Sequence, residues 1–404
     1  MSAATALRRS SPTEASAAPR AAGAGRAFAR VEAFDTIEAA SEPWAEIARL
    51  APASPYQGFD FSRIWVDAFG AARRLTPLIL VARDEAGAVT ALLPLGRISA
   101  GPLRIAVFLG GKDANFAVGL FRPDVEWAAA DVAAFLDAGA RAAAARIDAY
   151  LFVNQPHDWQ GAPNPLAALR SQPSPSDAYK SALPNDFAAW RDAHVSKDTQ
   201  KKLRKKAKRL EAVGPIAYRR AANPDDADRI LAAFHEQKSA RMRALGIADA
   251  YEPPEAHAYL TRLARCGLEN GAPRLELHAL AAGERIVATF GGLSAGDRLC
   301  GLFLSHDGDP EVARSSPGEL IVHEVVRDAI ARGLRTFDLG VGEARYKNEA
   351  CEATEALFDS AHAVTPLGAV AAFAFLAQQR IKRRIKRSPR LLEISQRLRR
   401  ALRR

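Results

Sequence analysis

Between residues 77 and 154 the chain spells an order of apolar runs that it repeats between 275 and 340. In the first half, PLILVAR (77–83) reads as a strand, DEAG as a turn with Gly87, and AVTALLPLGRI (88–98) as the returning strand. LRIAVFLGG (103–111) is a third strand, EWAAADVAAFLDAGARAAAAR (126–146) an Ala-rich helix, and DAYLFVN (148–154) a strand again. In the second half, LELHALA (275–281), a turn at Gly283, RIVATFGGL (285–293) and RLCGLFLSH (298–306) repeat the three strands. A helix then runs to about residue 332, and RTFDLG (335–340) closes the unit. Helical sequence precedes the second set of strands at 197–213, near 224–245 and near 254–270.

Three consecutive strands followed by a helix and a strand predict a mixed α/β (α+β) sheet, antiparallel first and parallel at the helical crossover. The segment between the halves, NQPHDWQGAPNPLAALRSQPSPSDAYKSALPND, is rich in Pro, Gly, Ser and Asn and reads as a loop or crossover. The expected organisation is a disordered leader (1–28), a first domain (29–175), a second domain (176–376) and a basic tail (377–404).

Length and composition fit this picture. The 404 residues suffice for two or three cored domains, and 48% hydrophobic with 25% charged residues is a globular balance. Cys266, Cys300 and Cys351 are odd in number and widely spaced, so neither a disulfide framework nor a metal site is indicated, and a reducing cytoplasm is the simplest setting. No run approaches the ~18–20 apolar residues of a membrane span. The N-terminus has no unbroken apolar stretch and reads as a leader without a signal peptide.

The net charge of +10 is unevenly spread. Residues 380–404 carry +11 and residues 197–209 carry +7, which leaves −8 for the rest. Basicity therefore speaks of two local contacts and not of a DNA-coating protein. The 197–213 helix places Leu203, Ala207 and Leu210 on one face and cations on most of the remainder, with Lys201 and Lys205 as candidate substrate contacts together with Arg241. It is either a solvated basic helix or one that faces a phosphate-bearing substrate or tRNA. In the tail, Leu391, Ile394, Leu398 and Leu402 form a stripe beside arginines, which suits either a solvated helix or peripheral contact with an anionic membrane.

Two motifs offer chemistry. ARSSPGELIVHEVVRDAIARG reads as a helix with Ser316 as N-cap, Pro317 in the first turn, Glu319 completing a capping box and Gly333 as stop. Arg314, Ser315, Ser316 and Gly318 would then surround free backbone N–H groups that suit a pyrophosphate. The second motif is FDLGVGEARYKNE (337–349). It lacks the third glycine of a dinucleotide loop, since Arg345 stands there, and Glu343 would repel a phosphate. Gly340 and Gly342 instead allow a sharp turn that offers Glu343, Tyr346 and Lys347 at the sheet's carboxyl edge. HEVVR (323–327) misses a zinc motif because Arg327 replaces the second histidine, SHDGDPE (305–311) reads as a turn, and no GxSxG elbow occurs.

The run RSSPGELIVHEVVRDAIARGLRTFDLGVGEARYKNE resembles the signature of CelD/BcsL-type acetyltransferase-like proteins (BioF2-like) of the GNAT superfamily, which are related to FemAB-type peptidyltransferases. The matching pieces are SPGxL, RGL-x-x-FDLG, G-x-E and YK. The resemblance extends to RLEAVG, ARDEAGAVTALLPL and FLGG, and covers roughly residues 30–365. It implies a tandem GNAT-like fold and transfer of an acyl group from acetyl-CoA or another acyl-CoA to an amine or hydroxyl of a small-molecule, glycan or peptide acceptor. It places the donor pyrophosphate at Arg314 to Gly318, where the superfamily loop R/Q-x-x-G-x-G/A reads RSSPGE, and gives the first half no donor site. In that frame Glu343 is the candidate base, Tyr346 the donor to the thiolate, and Lys347 a neutraliser of acceptor charge or a partner of Glu343. Three functions follow: an acyl-CoA-dependent transferase of cellulose, exopolysaccharide or envelope metabolism, a FemAB-like transferase using aminoacyl-tRNA, or a non-catalytic accessory of an exopolysaccharide synthase at the inner membrane.

Overall fold

The computed structural model describes residues 26–343, 347, 350–388 and 391. The described residues begin two positions before the expected boundary at 28, and the expected leader otherwise lies outside them. Ala27 is already buried, and Phe28 stacks on Trp127 with ring centroids 5.9 Å apart.

The first half contains β1 (Arg30–Phe34), α1 (Ser41–Ala48), α2 (Phe59–Phe69), β2 (Thr76–Arg83), β3 (Val89–Ala100), β4 (Leu103–Phe108), β5 (Leu120–Phe121), α3 (Ala129–Ala142) and β6 (Ala149–Pro156). A small hairpin, β7 (Asp158–Trp159) with β8 (Ala162–Pro163), and β9 (Arg170–Pro173) lead out of it. The second half contains β10 (Ala178–Ala182), α4 (Phe187–His194), α5 (Lys197–Leu210), β11 (Ile216–Arg220), α6 (Pro224–Ala244), α7 (Pro254–Arg265), β12 (Glu276–Ala282), β13 (Arg285–Ala295), β14 (Arg298–His306), α8 (Pro310–Ala313), α9 (Pro317–Ala331) and β15 (Thr336–Val341). β16 (Ala353–Glu355), β17 (Leu357–Ala363) and α10 (Pro366–Arg387) complete the described chain.

The duplicated order is real. β2-β3-β4 and β12-β13-β14 are antiparallel meanders, and each is followed by a helix and a strand that returns parallel to its third member. Near-continuous burial of β2, β3 and β12 explains their unbroken apolar runs, because helices cover both faces of each sheet.

The two sheets do not divide the chain at residue 175, however. One sheet runs β1-β2-β3-β4-β6-β17-β9 with β5 beside β3, and the other runs β11-β12-β13-β14-β15-β10-β16. The expected second domain, 176–376, thus loses its final strand and helix to the first sheet. β17 inserts antiparallel between β6 and β9, and α10 lies upon it. The apolar pattern of LFDSAHA announces a strand but not its neighbours, since pairing partners are fixed by three-dimensional fit.

The largest apolar cluster joins both halves, with Trp44, Tyr56, Trp65 and Phe116 of the first meeting Leu260, Leu277 and Phe303 of the second. A separate cluster around Trp190, Phe290 and Val325 fills the space between the second sheet and α9. Within β12, His278 is wholly buried with Nδ1 2.7 Å from the Tyr218 hydroxyl. Burial pushes its pKa down to about 3, so it is neutral in the folded protein. His235, stacked on His257 at 3.5 Å, is pushed down to about 4 by burial and then by His257. Both groups bind a proton more readily when unfolded. Their stabilising contribution is therefore present above the ordinary value of 6.5 and is lost as pH falls toward 4 and 3. The melting temperature is expected to fall between pH 7 and 4, and His278→Gln is expected to flatten that slope; an unchanged slope in the variant would exclude His278 as a source.

Candidate active site

β14 and β15 are parallel neighbours, so their carboxyl ends lie on one edge of the second sheet, where ligands of α/β folds collect. They pair only from Arg298↔Thr336 to Cys300↔Asp338 and then part. Asn115 of the first half occupies the parting. Its amide nitrogen donates to the Gly301 carbonyl at 2.9 Å and contacts the Tyr56 hydroxyl at 2.8 Å, while its oxygen accepts from the Val341 N–H at 3.3 Å.

α9 begins beyond β14 on the same edge. A compact turn precedes it, in which Ser315 and Ser316 donate to the carbonyls of Val312 and Ala313, each at 3.0 Å. This turn drives Ser316 into the left-handed region, with φ 47° and ψ 57°. Its hydroxyl caps nothing, so the expected capping box is absent, and Glu319 pairs instead with Lys206 of α5. Pro317 has no N–H, and Gly318 lies in the first turn, where N–H groups have no intrahelical acceptor. Ser315 is fully buried and its hydroxyl has no hydrogen-bond partner among the described residues. Arg314 is exposed, and its carbonyl accepts from Arg209 at 2.9 Å.

Arg241, from the last turn of α6, reaches this place as well. Its guanidinium lies 3.1 Å from Nε2 of His306, whose ring adjoins Gly318. Nδ1 of His306 is 3.0 Å from the Asp307 carbonyl, so the proton resides on Nδ1 and Nε2 accepts from Arg241. The helix start is thus ringed by Arg241, Lys206 and Arg209, with Glu319 the one acid in its first turn. Dipole, open N–H groups and cations together favour an anion there.

Lys201 and Lys205 are exposed on α5 and make no contact with this ring among the described residues. Lys206 and Arg209 take that part. Lys206 had a signal in the sequence: it stands three residues after Leu203 and four before Leu210, on the face that seats α5. His306 and Asn115 left no such trace, because their partners are chosen by tertiary contact.

The strand-end turn forms as expected from its glycines. Gly340 has φ 70° and Gly342 has φ 98°, and the Gly340 N–H donates to Asp338 at 2.9 Å. Glu343 is exposed. Lys347 is buried, and its ammonium donates to the carbonyls of Val341 at 3.0 Å and Gly340 at 3.3 Å, so it ties down the strand end instead of facing an acceptor or pairing Glu343. Burial pushes its pKa below the usual lysine range, offset partly by Asp338. Tyr346 lies outside the described residues.

Beneath the turn sits a charge cluster that sequence reading passed over. Arg298 donates to Asp338 at 2.7 Å and to Glu355 at 2.6 Å, and all three are buried. Its guanidinium stacks 4.8 Å from Phe116 and 4.4 Å from Trp159, both of the first half. Burial opposes the charge, yet Asp338 and Glu355 hold Arg298 above its ordinary range. The cluster fixes β14, β15 and β16 against the other half. Among the described residues, no group of three or more His, Cys, Asp and Glu is placed to hold a metal.

Residues 197–348 match the acetyltransferase (GNAT) domain family. The matched stretch takes in α5 through Lys347 and therefore both parts of the site. FemX superposes with a TM-score of 0.56 at 10% identity, over 84% of this chain and 99% of that one. The C-terminal domain (DUF2156) of a protein described as a lysylphosphatidylglycerol synthetase, from Agrobacterium fabrum, does so with a TM-score of 0.51 at 13% identity, over 84% and 95%. These likenesses extend the fold to both halves. No curated protein matches the chain in sequence.

Proposed function

We propose that the GNAT-type domain holds the phosphates of an acyl-CoA at the start of α9 and passes the acyl group to an amine or hydroxyl at the carboxyl end of β15. The observation that carries this is the ring of Arg241, Lys206 and Arg209 around Gly318, with the Ser315 hydroxyl, which has no partner among the described residues, buried near the same helix start. The donor supplies an activated thioester carbon. The acceptor's nitrogen or oxygen bonds to that carbon, the carbon–sulfur bond breaks, and the acceptor's proton leaves to Glu343, directly or through water. Tyr346 is the proposed proton source for the thiolate. In this reading the chain is a CelD/BcsL-type member whose acceptor is a glycan or peptide of envelope or exopolysaccharide metabolism. The exposed Lys201, Arg204, Lys205 and Lys208 of α5 support a second donor, aminoacyl-tRNA, bound through its phosphates.

A thermal-shift series with CoA, acetyl-CoA and aminoacyl-tRNA tests the reading, because a ligand selective for the folded state raises the melting temperature. CoA and acetyl-CoA are expected to stabilise the protein. Arg241→Ala or Lys206→Ala is expected to weaken them about 10–100-fold, the cost of a lost charge-assisted contact. Glu343→Gln is expected to lower kcat by about 10²–10⁴ with donor affinity intact. Stabilisation by aminoacyl-tRNA alone would replace the acyl-CoA reading, and a flat response to every donor would leave the accessory role.

A further inference from the structure

α10 carries an outer face on which the fold makes one ring contact, the Arg170 guanidinium 5.8 Å from the Phe373 ring. Gly368, Ala372, Leu376 and Gln379 turn toward the first sheet. On the opposite side Val370, Phe373 and Ile381 are 66%, 61% and 58% exposed, with Leu367 at 43%. Nine large apolar side chains are exposed among the described residues, and four of them lie on this one helix. Such clustering marks a contact surface, whereas singly scattered apolar residues need no explanation. The last two turns change character: residues 380–387 hold six Lys/Arg and no acid. Asp177 pairs with Arg383 and Arg387, while Arg380 and Arg384 have no salt bridge among the described residues.

Beside the helix, Phe375 overhangs a groove of about 280 Å³ in the first sheet. Its floor is Ile98, Ile105, Val107, Leu151 and Val153, and no charged or hydrogen-bonding side chain lines it. The groove exists because β4 and β6 pair only at Ile105↔Ala149 and Ala106↔Tyr150 and then separate. A lined slot without polar groups gives no grip to a phosphate or a nucleotide, but it suits a hydrocarbon chain.

We propose that this face is a docking surface for an anionic phospholipid bilayer, with Val370, Phe373 and Ile381 entering the interface, the exposed Arg380, Lys382 and Arg384 meeting headgroup phosphates, and one acyl chain seated in the groove under Phe375. An apolar stripe running into a cationic end is the pattern of an interfacial helix. A second copy of the chain fits poorly, since it would set two groups of six cations together. The inference is independent of the donor, because the face belongs to the first sheet and the α9 start to the second.

Sedimentation of the full-length protein with sucrose-loaded vesicles tests it. Binding to equimolar phosphatidylcholine and phosphatidylglycerol is expected to exceed binding to phosphatidylcholine alone at least tenfold and to weaken as salt rises from 0.1 to 0.5 M. Val370→Glu with Phe373→Glu is expected to weaken it at least tenfold while the melting temperature stays unchanged, since both side chains are exposed. Leu151→Trp, which fills the groove, is expected to weaken it severalfold. No vesicle binding, or equal binding to both vesicle types, overturns the proposal. Full binding by the Val370/Phe373 variant also overturns it, and full binding by Leu151→Trp removes the acyl chain from the groove. A dimer that this double variant dissolves, without any vesicle binding, would identify a second copy as the occupant instead.

Discussion

Arg298→Ala is expected to cost about 3–5 kcal/mol of folding stability, as removal of one partner from a buried ion network does. Asp338 and Glu355 would remain buried without their shared guanidinium, and Phe116 and Trp159 would lose the flat group they stack on. The loss should depend on pH in a defined direction. Burial pushes the Asp338 carboxyl up, and Arg298 is the foremost influence holding it down. In the variant the folded-state value therefore rises further above the unfolded one. A carboxyl of that kind contributes stability that is complete below its unfolded value and vanishes as pH climbs through the folded value. The deficit of Arg298→Ala is thus expected to be greatest at neutral pH and to narrow toward pH 4. Urea midpoints across that range measure it. Adding Asp338→Asn should recover part of the loss, because it removes the stranded charge; a double variant no better than the single one would refute this account. Arg298→Lys should rescue little, since an ammonium matches neither the two carboxylates nor the two rings.

Gly340→Ala is the second large effect, expected at about 2–5 kcal/mol. A left-handed backbone costs an alanine about 1–2 kcal/mol, and overpacking adds about 1–3. The overpacking is specific: a Cβ at Gly340 would stand 2.4 Å from the Asn115 amide nitrogen. That amide bridges Gly301 and Val341, so the substitution presses on the link between β14 and β15. Asn115→Ala in the same chain should relieve the steric part and leave the backbone part. The two substitutions are therefore expected to be less damaging together than their sum, as read from urea midpoints; strict additivity would show that the contact carries no energy.

Much of this was written in the local pattern. The doubled meander, the two helical crossovers and the glycine turn after β15 follow from periodicities and turn residues that act within a few positions. Gly318 was legible for the same reason, as part of a helix start. What was not legible depends on partners far apart in sequence. Glu319 looked like a local cap but prefers Lys206, over a hundred residues earlier. Lys347 reads in sequence as an acceptor-side cation or a partner of Glu343, but it is claimed by two carbonyls of the strand it follows. Arg298 looked like a polar strand start, and only the meeting of the halves makes it the centre of a buried cluster. β17 shows the same limit at the level of topology, since its sequence specifies a strand and the vacancy between β6 and β9 specifies the sheet.

That placement of β17 also sets a schedule for synthesis. β9 has no described neighbour in the first sheet except β17, so the sheet's far edge stays open until residue 363 has left the ribosome. The second sheet, whose strands lie between 178 and 355, is fully made before the first is closed. A growing chain therefore completes its later-made layer first and returns to finish the earlier one, and a fragment ending at 175 is born with β6 as an unpaired edge.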